Sequence, residues 1–461
     1  MLKWAMTAAM MLPGVTAAQA RPDQQAFFAL YKEMVETDTT LSVGSCTQAA
    51  AQVATRLKAA GYADADIVSF SVPEHPRDGG LVAILKGSDA KRKPLLLLGH
   101  LDVVEAKRAD WARDPFKLVE EAGYYYARGA TDDKAMAAVW ADAMIRLKAP
   151  RPPKRTIKLA LTCGEETTFA WNGAEWLSKN RPDLLAAEFA LNAGGGGRTD
   201  DDGRRQLLAV QVGEKAAQNY TMVATNPGGH SSVPRPDNAI YALADAVKAV
   251  QAYEFPVRFT DTTRAFFTGT AATLPAEMAD AVKRLVANPE DKAADALVSR
   301  DPTLRSTLRT SCVVTLLSAG HAENALPQRA SANVNCRIFP GETVATTLAQ
   351  LQRLAGTQVT VTANQPERPV AIPPTLDPKV IGPMKTVAAK HFPGVPLLPI
   401  MSTGATDGVF VGALGIPVYG APGIFIDRDM GGIHGLNERI RVKSLYDGRD
   451  YLFDLVKAYA E

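Results

Sequence analysis

Four consecutive leucines, Leu95–Leu98, run straight into Gly99-His100. A strand that is apolar on both faces must be covered on both sides, as happens inside a parallel sheet flanked by helices. Thr156–Thr162 is a second such run, and Ala135–Leu147 between them carries helical periodicity. Upstream, Gln25–Glu36 and Gln48–Ala60 read as helices, and Ile67–Val72 and Leu81–Leu85 as short strands. This alternation predicts an α/β domain with a mainly parallel central sheet flanked by helices and a site at its carboxyl edge.

The pattern changes near Gly213. Gln218–Thr225, Val313–Leu317 and Ala330–Ile338 alternate as strands, Asn238–Gln251 is helical, and Pro275–Leu308 is a charged helical stretch. Buried strands and glycine turns return at Leu397–Met401 and Pro417–Tyr419. A chain of 461 residues exceeds one ordinary core. The expected division is catalytic residues 21–213 and 365–461, interrupted by a smaller α+β insertion over 214–364.

Residues 1–20 differ from the rest. Lys3 precedes an apolar Ala- and Met-rich run that ends in Ala18-Gln19-Ala20, the small-x-small pattern cleaved on export. Pro13-Gly14 interrupts the run, which argues against a membrane anchor. The expected location is therefore periplasmic or secreted. A formal charge of +2 without a basic block excludes nucleic acid as an expected partner. Cys46, Cys163, Cys312 and Cys336 form no CxxC pair, so isolated buried thiols are expected, although an even count permits disulfides.

Four segments carry chemistry. In Gly99-His100-Leu101-Asp102 the His and Asp lie two apart at a strand end, on one side, so the Asp can accept one imidazole N–H and leave the other nitrogen for a metal. Alone, this is equally a capped strand end. Arg128-Gly-Ala-Thr-Asp132-Asp133-Lys134 opens a helix, where paired carboxylates either cap it or bridge cations. In Cys163-Gly164-Glu165-Glu166, one glutamate can ligate metal while the other serves as base; an acidic loop is the plainer reading. His434, in Gly431-Gly-Ile-His-Gly-Leu-Asn-Glu438, gains weight only from the other three. Together, imidazoles and carboxylates from separate strand ends suit zinc-like ions.

GHLDVV, RGATDDK, CGEE and HGLNE resemble, in order and spacing, the zinc metallopeptidase family of aminoacylase, carnosinase, glutamate carboxypeptidase and succinyl-diaminopimelate desuccinylase. The resemblance implies two divalent ions, with Zn2+ expected, His100 and His434 binding one each and Asp132 bridging them. By the same likeness Glu166 ligates the ion of His434, Glu165 is the general base, and Asp102 orients His100. The insertion is implied to be a dimerisation lid, whose His230 in Asn226-Pro-Gly-Gly-His-Ser-Ser reaches the partner subunit's site to stabilise an oxyanion. Without the likeness, His230 is a hairpin residue. Asn324 and Arg337 match positions that bind the substrate's carbonyl and carboxylate, and Gly404 a loop lining the pocket.

One position departs from the pattern. Ala193, in Phe189-Ala-Leu-Asn192-Ala-Gly194, stands where a carboxylate completes the shell of His100's ion, and Asn192 would face the other way on a strand. The expectation is a weakened site there. The function expected is an exported, homodimeric hydrolase cleaving a peptide or amide bond beside a free carboxylate, of carboxypeptidase or dipeptidase type. The alternatives are an N-acyl-amino-acid amidohydrolase and a catalytically impaired binder.

Overall fold

The computed structural model describes residues 21–148, 151–167, 170–370 and 372–461. The export segment expected over residues 1–20 lies outside them. The largest element is a ten-stranded sheet. At its centre Leu95–His100 lies parallel to Ile157–Thr162 on one side and to Phe189–Asn192 on the other. Leu95 and Leu97 enter one apolar core, and Leu96 and Leu98 a second core on the opposite face. All four are fully buried, which at about 1.5–3 kcal/mol per side chain makes this strand a main anchor of the fold. Helices Pro22–Glu36, Cys46–Ala59, Lys134–Leu147, Pro378–His391 and Val442–Ala460 cover the first face; Gly173–Asn180 and Pro182–Leu185 help cover the second.

The same sheet contains chain from both ends of the sequence. Val418–Gly420 pairs parallel with Phe189–Asn192, and Leu397–Ser402 pairs parallel with Arg205–Glu214. Between these stretches the chain leaves to build an antiparallel sheet with strands ordered Ser311–Ala319, Arg329–Ile338, Ala216–Thr225 and Val359–Ala363. Residues alternate as the pleat requires: Val334, Cys336 and Ile338 are buried under helices Ala239–Ala252 and Val344–Ala355, while Asn335 and Arg337 face the other way. Four short helices between Asp261 and Leu308 carry their own core of Phe267, Leu285, Val298 and Leu308. Gly269, on the first of them, lies close to Leu398 of the central sheet.

The cysteines correct the expectation of isolated thiols. Cys46 is bonded to Cys163 and Cys312 to Cys336, leaving no free cysteine. Cys312 and Cys336 sit directly opposite in register on neighbouring strands, with Cα atoms 4.1 Å apart. Cys46 opens a helix that packs beside the end of the Cys163 strand. Neither proximity is a matter of sequence spacing, so the absence of a CxxC pattern carried no information about pairing.

Candidate metal centre and cleft

The carboxyl ends of the central strands open into a cavity of about 530 Å³. His100 closes the leucine strand at its floor. Its Nε2 lies 3.3 Å from Asp132 Oδ1, and the other oxygen of Asp132 lies 3.3 Å from His434 Nε2. Asp132 therefore stands between two imidazoles with one oxygen toward each. His434 Nε2 also approaches Glu166, at 2.9 and 3.0 Å to its two oxygens. His100, Asp132 and Glu166 bring potential ligand atoms within 4.8 Å of one another.

Asp102 does not hold His100 in the manner expected. The ring Nδ1 lies 3.1 Å from the main-chain carbonyl of Asp102 and 3.6 Å from its carboxylate. The carboxylate turns instead to accept the backbone N–H of Glu166 at 2.9 Å. The residue still fixes the imidazole, but through its peptide oxygen, and its side chain ties the His100 strand to the glutamate loop.

The charges in this cluster depend on one another. Burial pulls the Asp132 pKa up and opposes charge on His100, yet their hydrogen bonds and opposite charges prevail. Asp132 falls below its ordinary value because His100 and His434 outweigh the upward pull of burial. His434 is held up at about 10 by Asp132 and Glu166. A field that retains a proton so firmly also suits a divalent cation in its place. Glu165 is driven well up, first by burial and then by the negative charge of Asp407, Glu166 and Asp132, with His100 acting against them.

Arg337 and Gly404 line the cavity together with Glu165. Burial lowers the Arg337 pKa, while the charge of Glu165 raises it. Ala193 lines the cavity too and offers no ligand atom. Asn192, expected to face away, also borders it, with its amide donating to Thr406 Oγ1 at 2.9 Å. His100 and His434 thus both stand within reach of the carboxylates of Asp132 and Glu166, a donor set that fits a divalent ion, and Ala193 adds no carboxylate to it.

His230 and Asn324 lie elsewhere. They are exposed, on a ribbon where Gly229–His230 pairs with Ala325–Leu326, and they do not border the cavity of their own chain. The backbone N–H of Ser232 donates to His230 Nδ1 at 3.1 Å. That makes Nδ1 an acceptor, so a neutral ring carries its proton on the outward-available Nε2.

Sequence reasoning missed several residues that build the cleft. Asp407 is buried and accepts from Thr162 Oγ1 at 2.6 Å and Asn172 Nδ2 at 2.7 Å. Glu438 accepts the backbone N–H groups of Gly129, Thr131 and Asp132 and pairs with Arg128. Arg368 borders the cavity from the segment that returns from the antiparallel sheet. Glu438 and Asp407 stand inside the His434 and Gly404 segments and could have been singled out there; Arg368 gives no local signal.

The profile described as peptidase family M20/M25/M40 matches residues 96–458. The N-fatty-acyl-amino acid synthase/hydrolase PM20D1 of Homo sapiens is 29% identical over 391 residues, covering 81% of this chain and 75% of that protein. Among solved structures, the M20 family metallo-carboxypeptidase Sso-CP2 from Sulfolobus solfataricus superposes with a TM-score of 0.72 at 19% identity, covering 96% of this chain and all of that one. The YXEP protein of Bacillus subtilis, described as a dinuclear metal binding peptidase from the M20 family, gives 0.58 at 13% identity over 95% of this chain and 98% of its own.

Proposed function

Because the chain belongs to peptidase family M20/M25/M40, we propose that this hydrolase is exported and cleaves a peptide or amide bond beside a free carboxylate, as carboxypeptidases and dipeptidases do. The observation that carries this reading is the convergence of His100, Asp132, Glu166 and His434 with Glu165 and Arg337 around one cleft. A bound divalent ion lowers the pKa of water towards about 7 and polarises the scissile carbonyl. Glu165 is the base that takes the proton from the attacking water and delivers it to the departing amine. Arg337 receives the substrate carboxylate as a bidentate partner. Asp102 and Glu438 keep the histidine and aspartate aligned.

The enzyme is proposed to work as a homodimer. The edge strand Ser311–Ala319 leaves Val313, Leu316 and Leu317 more than 60% exposed, and the nearby helix Ala239–Ala252 exposes Tyr241. Pairing of these surfaces in two copies would shield that edge. It would also give His230 and Asn324 a role in the partner's cleft, with the Nε2–H of His230 stabilising the developing oxyanion and Asn324 the carbonyl. Two disulfides support an oxidising compartment, in keeping with the export-like segment over residues 1–20.

The similarity to PM20D1 favours a second reading, hydrolysis of N-acyl amino acids by the same machinery. Ala193 favours a third, a binder that keeps the fold without turnover. Metal content measured by mass spectrometry, alongside amino-acid release from dipeptides and N-acyl amino acids with and without chelator, separates them. Chelator-sensitive release of a free amino acid is the expected result. Ligand binding without turnover on any substrate would remove the hydrolase reading.

A further inference from the structure

The loop that carries Glu165 and Glu166 begins at a cross-link. Cys163, two residues before Glu165, is bonded to Cys46, the first residue of the helix Cys46–Ala59. Both cysteines are buried. Hydrogen bonds hold the loop at further points. The backbone N–H of Gly173 donates to the Cys163 carbonyl at 2.7 Å, Asn172 Nδ2 to the Gly164 carbonyl at 3.0 Å, and the Glu166 N–H to Asp102 Oδ2 at 2.9 Å. Of these ties only the cross-link can be opened by a reductant. Asp102 sits against the same bond. Its other oxygen, Oδ1, is buried and accepts no hydrogen bond among the described residues. An oxygen of that carboxylate and both sulfurs lie within 4.8 Å of one another. A disulfide has no proton to offer a carboxylate, whereas thiols do. Cys46 follows a short loop in which Leu41 and Val43 are 48% and 71% exposed, so local opening there brings a reductant to the bond.

We infer that the Cys46–Cys163 bond is a redox latch on the catalytic loop: closed, it holds Glu165 and Glu166 in place for hydrolysis, and its reduction switches hydrolysis off. The inference rests on the hydrolase reading above for its activity readout. Two electrons break the sulfur–sulfur bond, and each sulfur takes up one proton. With a water-soluble phosphine as reductant, phosphorus is oxidised to the phosphine oxide, and water supplies its oxygen and both protons. Cys163 then no longer anchors the loop to the helix. A thiol beside Asp102 also competes for the carboxylate whose other oxygen holds the Glu166 N–H. A shift of about 1 Å in such a loop spoils the alignment of base and ligand. The second cross-link differs. Cys312 and Cys336 join two strands already paired from Ser311 to Ala319, with Cys336 inside the apolar core of that sheet. Its opening leaves the catalytic loop alone. An enzyme built this way is silent in a reducing compartment and turns on where thiols become oxidised.

The test treats the folded, zinc-loaded enzyme with tris(2-carboxyethyl)phosphine, and thiol alkylation shows which cysteines have opened. Two quantities are followed: kcat and KM on dipeptides and N-acetyl amino acids, and hydrogen exchange of the backbone over residues 163–167 by mass spectrometry. On reduction kcat is expected to fall roughly tenfold to hundredfold. KM should change little, because Arg337 and Gly404 lie off the loop. Exchange over 163–167 should quicken, and reoxidation with glutathione disulfide should restore both. The double variant Cys312→Ala, Cys336→Ala should respond as the wild type does. The double variant Cys46→Ala, Cys163→Ala should be slow from the start and indifferent to the phosphine; should it not fold, the wild-type cycle decides. Unchanged kcat and exchange in protein whose Cys46 and Cys163 have opened overturns the inference. So does a bond that the phosphine never opens in the folded protein, or a response that persists without Cys46 and Cys163. A collapse of the circular dichroism on reduction overturns it too, since the effect is then global unfolding. Should the oxidised enzyme cut no compound, the hydrolase reading fails separately, and the exchange comparison alone decides the latch.

Discussion

Glu438 accepts the backbone N–H of Asp132 at 3.0 Å, so the carboxylate set between the two imidazoles is held by another carboxylate 306 residues further along the chain. The same side chain takes the N–H groups of Thr131 and Gly129 at 2.8 and 2.9 Å and the Arg128 guanidinium at 2.9 Å. Both members of that ion pair are buried.

Glu438→Ala would take the carboxylate from Arg128, which keeps only the Gly435 carbonyl, and leave three backbone amides without their acceptor. Breaking a buried pair of this kind costs about 3–5 kcal/mol. The variant should melt well below the wild type by circular dichroism and retain less metal after dialysis. An unchanged melting temperature would show that Glu438 does not fasten the Asp132 loop.

Glu165→Gln keeps the shape of the side chain and removes its basicity. A fall in kcat of roughly 10²–10⁴-fold is expected, with metal content unchanged, because general-base catalysis contributes about that much. Stopped assays paired with elemental analysis check both halves. Full activity in this variant would move the base elsewhere.

Ala193→Glu adds a carboxylate to the cavity lining beside the metal cluster. Metal bound per chain, counted by mass spectrometry after dialysis against a fixed metal concentration, should rise towards two. An unaltered count would mean that another group already completes the cluster.

Glu214 gives a pH effect away from the metal cluster. Burial is the largest cause pushing its carboxyl up to about 8; hydrogen bonds to Thr406 and Gln211 oppose this, and Asp407 adds to it. In the unfolded chain the carboxyl ionises near its ordinary 4.5. The folded state is therefore favoured below about pH 4.5, and this contribution is lost as pH rises towards 8. Glu214→Gln should flatten that decline and be more stable than the wild type by about 1–4 kcal/mol at pH 8. Urea titrations at pH 5, 6.5 and 8 measure the difference; parallel curves at all three would contradict it.

The parts of the fold legible in the sequence were those where burial leaves no alternative. Leu95–His100 has no polar residue before its last position, and every residue in it is buried. Arg205–Glu214 is just as central but was not picked out, because Gln211 and Glu214 interrupt its apolar pattern while being buried themselves. The metal cluster was legible because its side chains act directly. Glu438 was not, because it works on backbone amides that look alike in every sequence. Arg368 was hidden for a related reason: its place depends on Gln218, distant in the chain, which accepts its backbone N–H, and on a strand pairing. The two disulfides likewise depend on which strands and helices become neighbours.

The division of the central sheet between the two ends of the chain bears on how the enzyme comes into being. During synthesis His100, Asp132 and Glu166 emerge early, whereas His434 and Glu438 arrive close to the end, after the whole intervening sheet. A premature stop in that last stretch yields a chain without the second imidazole and without the clamp on Asp132. Loss of hydrolysis is the expected outcome for such a fragment, so hydrolytic power would be released only by a finished molecule.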